Sequence, residues 1–121
     1  KVEDLMWPIG ECPTLTSDKL LRDAVLEMTN KPLGALAILD GTKLVGILVE
    51  GDIRRSIAAD SNALEQPLKE IMTKNPKMIA PFELAIEALK IMESKVYVLP
   101  VVEGESFKGF IRMHDLLKEG F

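Results

Sequence analysis

"GILVEGDIRR", Gly46 to Arg55, is an apolar, β-prone run that turns at a Gly-Asp corner and continues into a basic, helix-compatible segment. The corner returns as "GFIRMHDLLK", Gly109 to Lys118. Working outward from the two copies, a shift of 63 pairs Gly41/Gly104, Gly46/Gly109, Asp52/Asp115 and Arg55/Lys118. Upstream, "KLLRDAVLEM" (19–28) matches "ELAIEALKIM" (83–92) at a shift of 64, with Leu20/Leu84, Ala24/Ala88 and Met28/Met92 in step. "VEDLM" (2–6) matches "LKEIM" (68–72). A repeat of this length decides the architecture more firmly than local propensity does, and the drop from 64 to 63 predicts a one-residue deletion in a loop.

Each copy predicts the same elements. Leu20, Leu21, Ala24, Val25 and Met28 recur at helical spacing, and Thr16, Ser17 and Asp18 before them are candidate N-caps. "LGALAILD" (33–40) and "KLVGILVE" (43–50) are short strands joined at Asp40-Gly41, a pair that favours a tight hairpin. A short strand at Pro13 to Leu15 completes the unit, and "IRRSIAA" follows the corner as a helix. The expected fold class is α+β, with the order β-α-β-β-α given twice. The copies fall at 1–60 and 68–121, with the polar stretch 61–67 as linker. A unit of this size buries too small a share of its surface to be secure alone, so the copies should dock on each other.

Composition narrows the function classes. A net charge of −4 and a pI near 5.0 argue against nucleic acid or an anionic membrane as partner, since both require a concentrated basic surface. The longest apolar run, Leu33 to Leu39, is far short of the roughly 20 residues of a bilayer span. The single cysteine, Cys12, allows no internal disulfide and suits a reducing, cytoplasmic setting. Lys1-Val2-Glu3-Asp4 opens without a methionine or a signal peptide, as expected of a piece of a longer protein.

The doubled order, "EIMTKNPKMI" (70–79), "LPVV" (99–102) and the Gly-x-x-x-x-x-Asp frame at Gly46/Asp52 and Gly109/Asp115 resemble paired cystathionine-β-synthase (CBS) domains, or Bateman modules. "EMTNKPLGALAILD", "GDIRR" and the closing "MHDLLKEGF" look like the C-terminal CBS pair of D-arabinose 5-phosphate isomerases. That resemblance implies two CBS repeats docked with pseudo-twofold symmetry. It also implies a preceding sugar-isomerase (SIS) domain in the parent chain, which carries the aldose–ketose step feeding synthesis of Kdo, the lipopolysaccharide sugar.

In the family the frame is Gly-x-x-Thr/Ser-x-x-Asp, and the aspartate holds the ribose hydroxyls of an adenosine nucleotide. The resemblance therefore assigns ligand binding to Asp52 and Asp115; Arg54 and Arg55, just beyond Asp52, and Lys118 in the second copy either neutralise a phosphate or are solvated surface. An ionised carboxylate accepts well from a diol, and backbone N–H groups at a helix start favour phosphate. The alternative is that both aspartates simply cap their helices. Val49 and Arg112 stand where the family has a hydroxyl. One lost hydrogen bond costs about 0.5–1.5 kcal/mol, and Arg112 either adds a contact to a more anionic ligand or extends into solvent. The family's clefts lie between the copies. By position, Asp52 would meet Thr73, Asn75, Leu99 and Pro100, and Asp115 would meet Cys12, Thr14, Ala35 and Leu36. Thr73 and Asn75 also suit a turn before Pro76.

Catalytic chemistry has little support. One His and one Cys cannot build a zinc centre, and no nucleophile turn, P-loop or dinucleotide fingerprint occurs. His114 reads as a pocket-rim or packing residue, Cys12 as a small buried hydrophobe, and the methionines as core filler. The expectation is a non-enzymatic regulatory module that senses AMP, ATP or a CMP-Kdo-like sugar nucleotide, requires no cofactor, and modulates an attached isomerase within a homodimer or homotetramer. The alternative is a ligand-free oligomerisation module of the same enzyme.

Overall fold

Leu21, Ala24 and Met28 share one helix face and are buried, whereas Val25 and Leu26 of the same segment face outward. The helix follows that stripe. The computed structural model describes residues 1–121. In chain order its elements are α1 (Val2–Leu5), β1 (Trp7–Pro8), β2 (Thr14–Leu15), α2 (Leu21–Asn30), β3 (Ala35–Asp40), β4 (Lys43–Val49), α3 (Glu50–Ala59), α4 (Leu68–Ile71), α5 (Ala85–Met92), β5 (Val98–Glu103), β6 (Ser106–Arg112) and α6 (Met113–Lys118). Short 3-10 turns lie at Ile9–Glu11 and Ala63–Glu65.

The repeat register holds at the helix start and along both hairpin strands, while the first strand expected in the second copy is reduced to a single bridge, Ile79 to Val101. A shift of 64 carries the start of α2 onto the start of α5, and a shift of 63 carries β3 onto β5 and β4 onto β6. The deleted residue therefore lies between helix and strand, in 31–34 against 95–97. Both hairpins turn through a glycine at φ 64°, Gly41 and Gly104, a left-handed conformation that glycine adopts without steric cost. Both carry an irregularity at the matched step, Ile38/Leu39 and Val101/Val102.

Two compact units form, and their membership crosses the repeat boundary. The central unit is Cys12–Pro76; the split unit joins Lys1–Glu11 to Lys77–Phe121. In the central unit β2 runs parallel to β3, and β3 antiparallel to β4. Its core gathers Leu21, Ala24, Met28, Leu36, Ile38, Leu48, Ala63 and Leu68. In the split unit β6 lies between β5 and β1, antiparallel to both. Its core gathers Val2, Ile79, Ala85, Ala88, Met92, Leu99, Val101, Ile111 and Leu116.

The same backbone bonds stitch both units. Leu68 and Lys69 donate to the carbonyls of Lys19 and Ser17, and Val2 and Glu3 donate to the matched carbonyls of Glu83 and Pro81. Thus α1 closes the split unit as α4 closes the central one. The stretch 61–67 is more than a polar spacer, because its 3-10 turn seats Ala63 in the core beside α2. The cap of α2 also differs from expectation. Its N-cap is Leu20, whose N–H donates to Asp23 Oδ2 at 2.9 Å, while the Thr16 hydroxyl turns to Asp18. Asp23 can reach back because it sits three positions into the helix, the spacing at which a carboxylate meets the cap N–H.

Candidate functional site: two acidic corners

Each corner forms where the second hairpin strand runs into a helix, with the aspartate three residues beyond the strand end. In the central unit, Asp52 Oδ2 accepts the Val49 N–H at 2.9 Å. Arg55 donates to Asp52 Oδ1 at 2.6 Å. The Asp52 carboxylate is 15% exposed, but its partner Arg55 is 73% exposed, so solvent screens the pair and its contribution to stability is small. Asp52 thus caps α3 as Asp23 caps α2. Arg54 goes elsewhere. It lines a separate hollow of about 530 Å³ with Val25, Met28, Pro32 and Ile53.

The split unit treats its aspartate differently. Arg112 grips Asp115 with two arms, Nε to Oδ2 at 2.9 Å and a terminal nitrogen to Oδ1 at 3.0 Å. The Trp7 indole donates to the same Oδ2 at 2.7 Å. The Arg112 guanidinium lies over the Trp7 ring, 4.9 Å from its centroid, where the ring's negative face attracts the cation. Both Asp115 and Arg112 are 21% exposed. The Arg112 hydrogen bonds hold the Asp115 carboxyl below the usual carboxylate range; partial burial opposes this and the Trp7 indole adds to it. Arg112 therefore does not extend into solvent, because Asp115 and the indole bind it from two sides.

Glycine is required where the preceding segment crosses each corner strand. A Cβ on Gly109 would lie 2.0 Å from the Trp7 carbonyl oxygen, because β1 pairs Trp7 with Phe110 and Pro8 with Gly109. A Cβ on Gly46 would meet the Met72 sulfur at 2.6 Å and the Thr73 carbonyl at 3.1 Å. Thr73 exchanges both backbone bonds with Ile47, so Thr73 and Trp7 occupy matched places. A hollow of about 300 Å³ beside the second corner is lined by Trp7, Glu11, Asp115, Lys118 and Glu119 among others.

The remaining expected site residues divide between the units. Thr14 and Ala35 lie on β2 and β3, Thr14 half-buried opposite Ala37 and Ala35 buried opposite Val49. Thr73 and Asn75 are exposed before Pro76, with Asn75 at φ 50°, a left-handed conformation that asparagine tolerates in turns. Leu99 and Pro100 are buried on β5, opposite Ile111 and Phe110. The structure brings Asp52 to Arg55, and Asp115 to Arg112 with Lys118 nearby in the hollow wall. It sends Arg54 away from that pair. His114 is exposed, so it does not pack in the core; its neighbour Asp115 turns to Trp7 instead. Cys12 is buried, as are Met28 and Met92, while Met78 is exposed. Trp7 escaped the sequence reading, although the match of "VEDLM" to "LKEIM" already placed it opposite Thr73.

A family model described as "CBS domain" matches residues 2–59 and 68–120. The chain belongs to the CBS domain family. It is a tandem CBS pair, homologous over its length to the CBS region of arabinose 5-phosphate isomerase KdsD. The Francisella tularensis KdsD is 38% identical over 120 residues, which are 98% of this chain and 37% of the relative. The chain thus spans little more than a third of the curated relatives it matches. Among solved structures, the AcuB protein of Vibrio cholerae superposes with a TM-score of 0.86 at 30% identity, covering 98% of this chain and 88% of that one. CBSX2 in complex with AMP shares the fold at 20% identity and a TM-score of 0.82, covering 98% and 93%. No helix is long and apolar enough to cross a membrane.

Proposed function

We infer that this CBS pair is a regulatory module that binds a nucleotide or sugar nucleotide and modulates an attached SIS-type D-arabinose 5-phosphate isomerase in the cytoplasm. The observation that carries this reading is the match to KdsD across 98% of the chain, which leaves most of the relative's length for the catalytic part. The AMP bound to CBSX2 supports the ligand class. Asp52 is the acceptor for a ribose diol, and the exposed Arg55 is the cation free to swing from it to a phosphate. Ligand binding would bias the isomerase only by its difference in affinity between two arrangements of the pair.

Thermal melts with AMP, ATP, CMP and CMP-Kdo test the reading. A ligand at 100 times its dissociation constant stabilises by about 2.7 kcal/mol, a shift of several degrees for a domain of this size. Asp52→Ala should abolish the shift. No response to any of the four nucleotides would overturn the inference.

A second reading has its own support. Phe82, Leu84 and Ile86 expose apolar side chains around the start of α5, as a homodimer or homotetramer contact would require. Sedimentation that shows concentration-dependent assembly without any nucleotide response would favour this oligomerisation role.

A further inference from the structure

Asp52 and Asp115 are repeat mates that hold different numbers of donors. Asp52 accepts two hydrogen bonds, one on each oxygen, and one of the two donors is the exposed Arg55. Asp115 accepts three, and two of them fall on Oδ2. A carboxylate oxygen offers two lone-pair positions, so Oδ2 is filled by Trp7 and Arg112. A vicinal diol gripping this carboxylate through both oxygens must first displace them.

Displacement is resisted from three elements. Trp7 is fixed by the pairing of β1 with β6, where its carbonyl fits only against a glycine at 109. Arg112, at the end of β6, is held by two bonds to Asp115 on α6 and by the indole face. The aromatic ring and the hydrogen-bond donors that a nucleoside would bring are already supplied by the chain itself.

We propose that Trp7 and Arg112 are a built-in occupant of the Asp115 corner, which closes that corner to diol-bearing ligands and limits the chain to one nucleotide, held at Asp52. The stoichiometry rests on the nucleotide-sensing reading above; the closure does not. Breaking charge-assisted bonds to enter would weaken a ligand at Asp115 by about 10- to 100-fold.

Calorimetric titration with AMP and CMP tests the proposal on the wild-type chain, on Asp52→Ala, and on the double variant Trp7→Phe with Arg112→Thr. Phenylalanine keeps the ring on β1 but removes its donor, and threonine frees the carboxylate. The expected result is one site per wild-type chain, lost in Asp52→Ala, and a second site gained in the double variant. Two sites in the wild type, or an unchanged number in the double variant, overturns the occupant. A silent wild type with a site gained in the double variant supports the occupant and sinks nucleotide binding at Asp52. Silence in both overturns both. Circular dichroism reports folding, and if the double variant unfolds, Arg112→Thr alone carries the same expectations.

Discussion

The corner of the central unit and the corner of the split unit start from the same frame, a glycine on the second hairpin strand and an aspartate six residues later. They end as different objects. At the first, Asp52 caps its helix and meets a solvated arginine; at the second, Asp115 joins an indole and a guanidinium that shield one another. The difference comes from two positions, Thr73 against Trp7 and Val49 against Arg112. A duplicated backbone thus keeps its shape while its two carboxylates take separate roles.

The most forceful way to break the comparison is at the glycines. Gly109→Ala should destabilise by about 3 kcal/mol, since the added methyl collides with the Trp7 backbone carbonyl and β1 must shift. Gly46→Ala should cost about 1 kcal/mol, because the flexible end of Met72 can move aside. Urea melts followed through Trp7, the single tryptophan, compare the two. Equal costs would mean that the close crossing at Gly109 is not maintained in solution.

Next come the arginines. Arg112→Ala should lose about 2 kcal/mol, because it removes two charge-assisted bonds and leaves a partly buried carboxylate short of donors. Arg55→Ala should lose less than about 0.5 kcal/mol. Similar losses for the two would erase the distinction drawn between the corners. At Asp52 itself, replacement by alanine should cost about 1 kcal/mol through the lost α3 cap, and by asparagine less, since its carbonyl still accepts the Val49 N–H.

The smallest expected effect is acid sensitivity. Asp115 binds its proton less tightly in the native state than at its ordinary value of 3.8. Its contribution is therefore complete above that value and is lost as pH falls through the lowered native one. Stability measured from pH 5 down to pH 2 should fall less steeply in Asp115→Asn than in the wild type. Parallel curves would remove Asp115 from the acid response.

The element order was legible because internal repetition confirms itself: one offset matched the helices and another matched both strands of each hairpin. Asp52 as a capping residue was legible from residue type and position. The second corner was not. Strand alternation does not say whether Arg112, at the end of β6, turns toward solvent or forward onto α6 to Asp115, and only the tertiary placement of Trp7 decides it. The exchange of Lys1–Glu11 onto Lys77–Phe121 leaves no local signal either, since pairing across such separations is written in no window of neighbouring residues. Ala63 shows a third kind of gap, a single small side chain buried inside a polar stretch.

That exchange has a consequence for how the molecule comes off the ribosome. Trp7 waits 108 positions for Asp115, so Lys1–Glu11 can join their sheet only once β6 and α6 have been translated. The central unit, continuous in sequence, can close while synthesis continues; the split unit can only finish afterwards. Long-range closures of this kind slow folding and leave strand edges uncovered in the meantime. The nascent chain's window for mispairing is therefore set by the stretch between β1 and β6, across which Trp7 must still find its partners.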